Sequence, residues 1–212
     1  MRAINKINTQ TKMSFIEVHR RKQILDIAIQ IIAREGYQKT TLASVAKEAG
    51  FTKGVIFYYF KNKDELVEQI NTVLLDELRE YTKSRMKSKI SESRKLKTYL
   101  EAYFDFIKEN KEKFMILTEL GINLNYRQKD PIFGQQVYIE CRRKLDKLLE
   151  LDKDCCNYSR LKTNTLSTII QGALDGIGIQ WLSDPEFVDL DDCRRVLTEM
   201  IDTHIKSARQ DG

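Results

Sequence analysis

Apolar residues recur along this chain at intervals of three and four, and period-two alternation is absent. Ile24, Ile27, Ala28 and Ile31 line one helical face, and Tyr99, Ala102, Tyr103 and Phe106 line another. The pattern predicts an all-α protein with about nine helices, over 17–34, 42–49, 53–59, 63–88, 92–109, 111–123, 130–150, 159–182 and 189–207. Breaks fall where helices end: Gly36, Gly50, Lys61-Asn62, Glu109-Asn110-Lys111, Lys129-Asp130-Pro131, Leu151–Tyr158 and Ser183-Asp184-Pro185. Asn62-Lys-Asp-Glu65 reads as a capping box, with Asn62 accepting a helix N–H and Glu65 reaching back.

The breaks divide the chain into a patternless arm (1–16), a compact head (17–62) and a larger body (63–212). The arm is basic and can reach a minor groove or stay disordered without function. Charge sharpens the division. Residues 1–63 carry 12 Lys and Arg against 4 Asp and Glu, whereas residues 64–212 carry 24 against 27. A basic first third on a slightly acidic remainder is the footprint of a nucleic-acid module joined to something else.

The head contains the informative stretch, Thr40-Thr41-Leu42-Ala-Ser-Val45-Ala46-Lys-Glu-Ala49-Gly50-Phe51-Thr52-Lys53-Gly54-Val55-Ile56-Phe57-Tyr58-Tyr59-Phe60. Two short helices that cross steeply need a small residue where their backbones approach, and Ala46 meets that need. Gly50 supplies a residue that enters the left-handed region without steric cost, and Thr52 can cap the second helix. Leu42, Val45, Ala49, Phe51 and Ile56 form an apolar wedge between the two. A helix-turn-helix follows, with Thr52, Lys53 and Gly54 at the exposed start of its second helix. Lys53 can reach a base edge or a phosphate, and Gly54 lets the backbone lie close to a groove wall. Thr40, Thr41, Tyr58, Tyr59 and Lys63 suit phosphate contacts that set register. An ordinary packed helix pair is the bland alternative; spacing, capping and basic exposed face together favour DNA.

Residues 20–66 resemble the TetR-type regulators. The likeness runs from Arg20-Arg-Lys-Gln-Ile24-Leu25-Asp-Ile-Ala28 through Glu35-Gly36-Tyr37 and the helix-turn-helix to Ile56-Phe57-Tyr58-Tyr59-Phe60-Lys61-Asn62-Lys63-Asp-Glu-Leu66. The resemblance implies a three-helix DNA-binding head on an all-α body, a homodimer, and a repressor released from a palindromic operator by a small molecule. It places Thr41, Thr52, Lys53, Gly54, Tyr58, Tyr59 and Lys63 at positions that commonly touch DNA. Phe57 stands where the family usually has tyrosine, and Tyr59 where histidine is common.

The body carries no specific motif. No G-x-S-x-G, H-E-x-x-H, P-loop or paired Cys/His set occurs, so the chain reads as no enzyme, with no cofactor. Cys141, Cys155, Cys156 and Cys193 form no C-x-x-C pair and only His19 and His204 could join them, so no metal site is expected. Reduced thiols are the plain reading, with a redox pair at Cys155-Cys156 as the alternative. No apolar run is long enough for a membrane span and the N-terminus lacks a signal-peptide core, so the chain reads as soluble and cytoplasmic.

Gly172-x-x-x-Gly176-x-Gly178 lies within the helical pattern of 159–182, where glycines admit a close neighbour, either from the same chain or from a second copy. The resemblance favours the second copy, with Ile170, Leu174, Ile177, Trp181, Leu197 and Ile201 at a four-helix interface. Tyr103, Phe106, Phe114, Leu117, Tyr126, Tyr138 and Trp181 are candidate lining for a ligand cavity. Glu119 and Asp175 sit among apolar neighbours, where a carboxylate either meets a cationic ligand or faces solvent. A DNA-binding dimer that takes no ligand, serving an architectural or protein-docking role, is the competing reading.

Overall fold

The structure is a computed structural model that describes residues 14–86, 94–127, 132–151 and 160–210. Among them are nine helices: α1 (Phe15–Glu35), α2 (Leu42–Ala49), α3 (Lys53–Tyr59), α4 (Lys63–Arg85), α5 (Lys95–Glu109), α6 (Lys111–Arg127), α7 (Ile132–Leu151), α8 (Arg160–Ser183) and α9 (Leu190–Gln210). The all-α expectation holds. The first helix begins at Phe15 because Ser14 and Glu17 close a capping box: Ser14 N–H donates to Glu17 Oε2 at 2.6 Å, and Glu17 N–H donates to Ser14 Oγ at 3.3 Å. Of that pair, Ser14 lies inside the stretch read as a patternless arm; residues 1–13 lie outside the described residues.

The chain divides into two compact units. The first comprises residues up to Leu78 together with Glu112–Gln128; the second comprises Arg79–Lys111 and Lys129–Gly212. Helix α4 passes from one unit to the other, and the chain crosses again where α5 gives way to α6.

In the first unit, α1 buries Ile24, Leu25, Ala28, Ile31 and Ile32, a stripe at three- and four-residue spacing. It packs on α2, which packs on α3. Leu66, Val67, Ile70 and Leu74 of α4 and Ile116 and Leu120 of α6 are also buried. Each such aliphatic side chain contributes about 1.5–3 kcal/mol on burial. In the second unit, α7 packs on α8, and α9 packs on both α5 and α8. Its core holds Leu96, Leu100, Phe104, Phe106, Leu145, Leu149, Ile170, Leu174, Leu197 and Ile201. No described helix is long and apolar enough to cross a membrane.

Candidate nucleic-acid interface

The turn between α2 and α3 is built as its residues require. Thr41 caps α2, accepting from Ser44 N–H at 3.0 Å, and Ser44 Oγ accepts from Thr41 N–H at 2.9 Å. At the other end Gly50 has φ 67° and ψ 24°, a conformation only glycine adopts without cost. Phe51 N–H then donates to Ala46 O at 3.0 Å, which satisfies a terminal carbonyl of α2. Thr52 is the extended residue before α3 and accepts from Val55 N–H at 3.4 Å. Val45, Ala46 and Ile56 are buried between the helices, and Ala49 and Phe51 are half-buried.

Helix α3 has two faces. Ile56 and Tyr59 are buried, as is Phe60 immediately after it. Lys53, Gly54, Phe57 and Tyr58 lie on the opposite side, with Thr52 at its head, and all five are exposed. Among the described residues of the unit, only Glu17 is hydrogen-bonded to that face, through the Tyr58 hydroxyl. A Cβ at Gly54 would meet only Thr52 Oγ1 at 3.9 Å, so the absent side chain serves no contact inside this chain.

The other residues expected at DNA are placed differently. Thr41 is exposed, but Thr40 is fully buried and its hydroxyl donates to Gly36 O at 3.0 Å. Tyr59 is 5% exposed, so its ring belongs to the core of the head. Lys63 Nζ donates to Tyr37 O at 2.6 Å and lies 4.0 Å from the centre of the Tyr37 ring; burial holds its pKa below the ordinary lysine value. Asn62 accepts from Glu65 N–H at 2.8 Å, but the Glu65 carboxylate reaches back one residue further than expected, accepting from Lys61 N–H at 2.9 Å.

Three features escaped sequence reading. Phe57 is 54% exposed on the face of α3, where an apolar side chain suits a thymine methyl. Tyr58 donates its hydroxyl to Glu17 Oε1 at 2.7 Å, so α1 holds this side chain of α3. Glu17 is kept below the usual carboxylate range, first by the Ser14 N–H and then by Tyr58. Finally, Tyr37 N–H donates to Glu119 Oε1 at 3.0 Å, tying α6 to the loop before α2. These are contacts between segments far apart in sequence, and neither periodicity nor motif spacing encodes them.

The body residues are also resolved into two sets. Of the expected cavity lining, Phe114 and Leu117 are buried in the first unit, and Tyr103 and Phe106 in the second. Trp181 is half-buried with Lys111 Nζ 5.1 Å from its ring, Tyr138 is 40% exposed, and Tyr126 falls outside the described side chains. A polar groove of about 200 Å³ lies among Arg143, Asp146, Lys147, Glu150, Thr163 and Asn164, sharing no residue with that set. Of the expected interface, Ile170, Leu174, Leu197 and Ile201 are buried within this chain. Ile177 and Trp181 are half-buried. The outward apolar residues of α8 and α9 are Ile169, Ile179, Val196 and Met200. Gly172 and Gly176 have nothing within 4 Å of a Cβ position among the described residues. Cys141 and Cys193 are half-buried and unpaired as disulfides; Cys155 and Cys156 lie outside the described residues.

Residues 24–70 match the bacterial regulatory proteins of the tetR family. The head of the chain thus carries a domain of the tetR family. It is 30% identical over 110 residues to the fatty acid metabolism regulator protein of Bacillus subtilis, a stretch covering 50% of this chain and 56% of that one. The chain thus spans about half the length of that curated relative. It is 27% identical over 193 residues to the regulator BetI of Paraburkholderia phytofirmans, covering 89% of this chain and 94% of the relative. The fold is shared with the solved fatty acid degradation regulator FadR of Bacillus halodurans, at a TM-score of 0.70, 22% identity, and coverage of 85% and 93%. The TetR-family match coincides with the head and the start of α4.

Proposed function

We propose that this chain is a sequence-specific DNA-binding transcriptional regulator of the TetR family, a homodimeric repressor that works in the cytoplasm and leaves its palindromic operator when a small molecule binds the body. The observation that carries the reading is the outward face of α3: Thr52, Lys53, Gly54, Phe57 and Tyr58 stand exposed on a helix whose other side is locked into the head. Five exposed residues of that kind on a short, rigidly held helix match what a major groove admits. Thr41 supplies a flanking phosphate contact, Tyr58 supplies another by turning its hydroxyl from Glu17 to the phosphate, and Lys63 supports the loop at Tyr37. A single short recognition helix reads few bases, so a two-fold dimer reading two half-sites is required. The outward apolar residues of α8 and α9, with the open glycine gap between Ile169 and Ile179, supply the self-complementary surface.

Release requires an effector that binds the operator-bound and free states with different affinity. Among the described residues, the chain connections within α4 at Leu78-Arg79 and at Lys111-Glu112 serve that coupling. Glu119 then links α6 to Tyr37 beside the helix-turn-helix.

Selection of bound duplexes from a random pool at physiological salt tests the reading. An inverted repeat is the expected recovery; no preferred sequence would remove the sequence-specific part. With the operator in hand, Lys53→Ala is expected to weaken binding. If Lys53 reads a base, discrimination at one position falls by about 1–3 kcal/mol; if it meets a phosphate, affinity falls evenly and the salt slope drops by about 1. Unchanged binding would remove Lys53 from the interface.

Gly54→Ala separates folding from binding. The added methyl fits the free protein, and alanine favours helix over glycine by up to about 1 kcal/mol, so thermal stability holds or rises. Operator affinity is expected to drop about tenfold or more, because the backbone can no longer approach the groove wall. Equal operator affinity in a mobility-shift titration would show that no close approach occurs there.

A further inference from the structure

The second unit contains a buried polar cluster that packing alone does not account for. Gln171 and Asp175 stand one turn apart on the same face of α8. Gln171 is 6% exposed, and its amide N–H donates to Asp175 Oδ1 at 2.8 Å. Tyr103 of α5 donates its hydroxyl to the same oxygen at 3.3 Å. Gln171 Oε1 is buried and receives no hydrogen bond. Tyr99 and Tyr103 are each 4% exposed, with ring centres 6.4 Å apart. Burial pushes the Asp175 carboxyl above its ordinary range, while the two hydrogen bonds pull it back.

The cations of the neighbourhood are committed elsewhere. Arg79 pairs with Glu140 at 2.6 Å. Lys144 donates to the Thr82 hydroxyl at 2.8 Å and lies 4.5 Å from the centre of the Tyr99 ring. Among the described residues, no lysine or arginine pairs with Asp175. The cluster therefore holds a carboxylate without a counter-charge and an amide oxygen without a donor. Both are costly in a protein interior and each calls for a partner.

One chemical group satisfies both. An ammonium bearing N–H bonds brings positive charge to Asp175 and a donor to Gln171 Oε1, and the two tyrosine rings are apolar surface for the rest of the molecule. A quaternary ammonium has the charge but no N–H, an alcohol has the donor but no charge, and an anion is repelled. We infer that the effector is a protonated organic amine, its ammonium held by Asp175 and Gln171 and its apolar body against Tyr99 and Tyr103. The inference rests on the ligand-responsive reading for its regulatory consequence, but not for binding itself.

Calorimetry on the full chain without DNA tests it, using phenethylammonium, its N-trimethyl analogue and phenethyl alcohol. The primary amine is expected to bind about tenfold or more tighter than either analogue. Asp175→Asn, which keeps the shape and removes the charge, is expected to lose about the same factor, and Gln171→Met to lose part of it. Equal binding of the alcohol, or undiminished amine binding by Asp175→Asn, overturns the assignment. So does an absence of amine binding; a higher melting temperature for Asp175→Asn would then mark Asp175 as a protonated structural carboxyl. Duplex selection with the ligand-free protein reports on the regulator reading separately, so failure of one is not failure of the other.

Discussion

Phe60→Ala is expected to destabilise the head by about 3–5 kcal/mol, the range for removing a fully buried aromatic ring. Phe60 has no exposed surface and follows directly on α3, so its ring anchors that helix to the rest of the unit. The Arg21 guanidinium lies 4.8 Å from the ring centre. Arg21 in turn donates to Gln69 Oε1 at 2.7 Å and pairs with Glu65 at 3.4 Å, joining α1 to α4. Without the ring, that guanidinium loses a face worth about 0.5–2 kcal/mol, and a cavity opens beneath α3. Hydrogen exchange read segment by segment should show lost protection over α1 to α4, with α8 and α9 keeping theirs. Operator affinity should fall with it, since α3 would no longer be held at a fixed angle. Unchanged protection in α1 and α4 would refute the anchoring role.

The double variant Ile169→Glu with Met200→Glu is expected to leave the fold intact and break the proposed dimer. Both residues are more than 60% exposed, at 61% and 64%, so neither substitution opens a hole in the core. In a homodimer each charge would be buried without a partner, and a single such penalty of about 3–5 kcal/mol already weakens association by roughly 10²–10⁴-fold. Sedimentation should show a folded monomer with parental helix content, and operator binding should collapse because one head reads only a half-site. A variant that stays dimeric would move the interface off these faces. The same change at Ile170 or Leu174 would be uninformative, since those side chains fill the chain's own core and their loss would unfold it.

These two cases mark where the sequence could be read and where it could not. The helix-turn-helix was legible because its constraints are local. Gly50 must take a positive φ within a turn of a few residues, Thr41 and Thr52 must cap the helices that follow them, and Ala46 must be small where two backbones cross. Each requirement is met by a residue type at a fixed spacing. The same holds for the helical class and for the positions of most breaks.

Which side of a helix meets which neighbour was less legible. Helix α8 is apolar around most of its circumference, so periodicity could not say whether Ile170 and Leu174 or Ile169 and Ile179 faced outward. Thr40 and Tyr59 carry the hydroxyls expected of phosphate contacts, yet the fold turns the first toward Gly36 O and packs the ring of the second inside.

By itself, the sequence determined the elements of this protein: the all-α composition, the capped and turned α2–α3 pair, and the basic head with Lys53 and Gly54 at the start of its second helix. These depend on backbone conformation and hydrogen bonds spanning three or four residues, which local residue types dictate. Only the tertiary structure decided that Glu17 holds Tyr58, that Glu119 holds Tyr37, that Phe57 is exposed, and that Gln171, Asp175 and Tyr103 meet inside the body. Those pairings join residues tens of positions apart. They are selected by the burial of whole faces, a sum over many side chains that no short stretch contains.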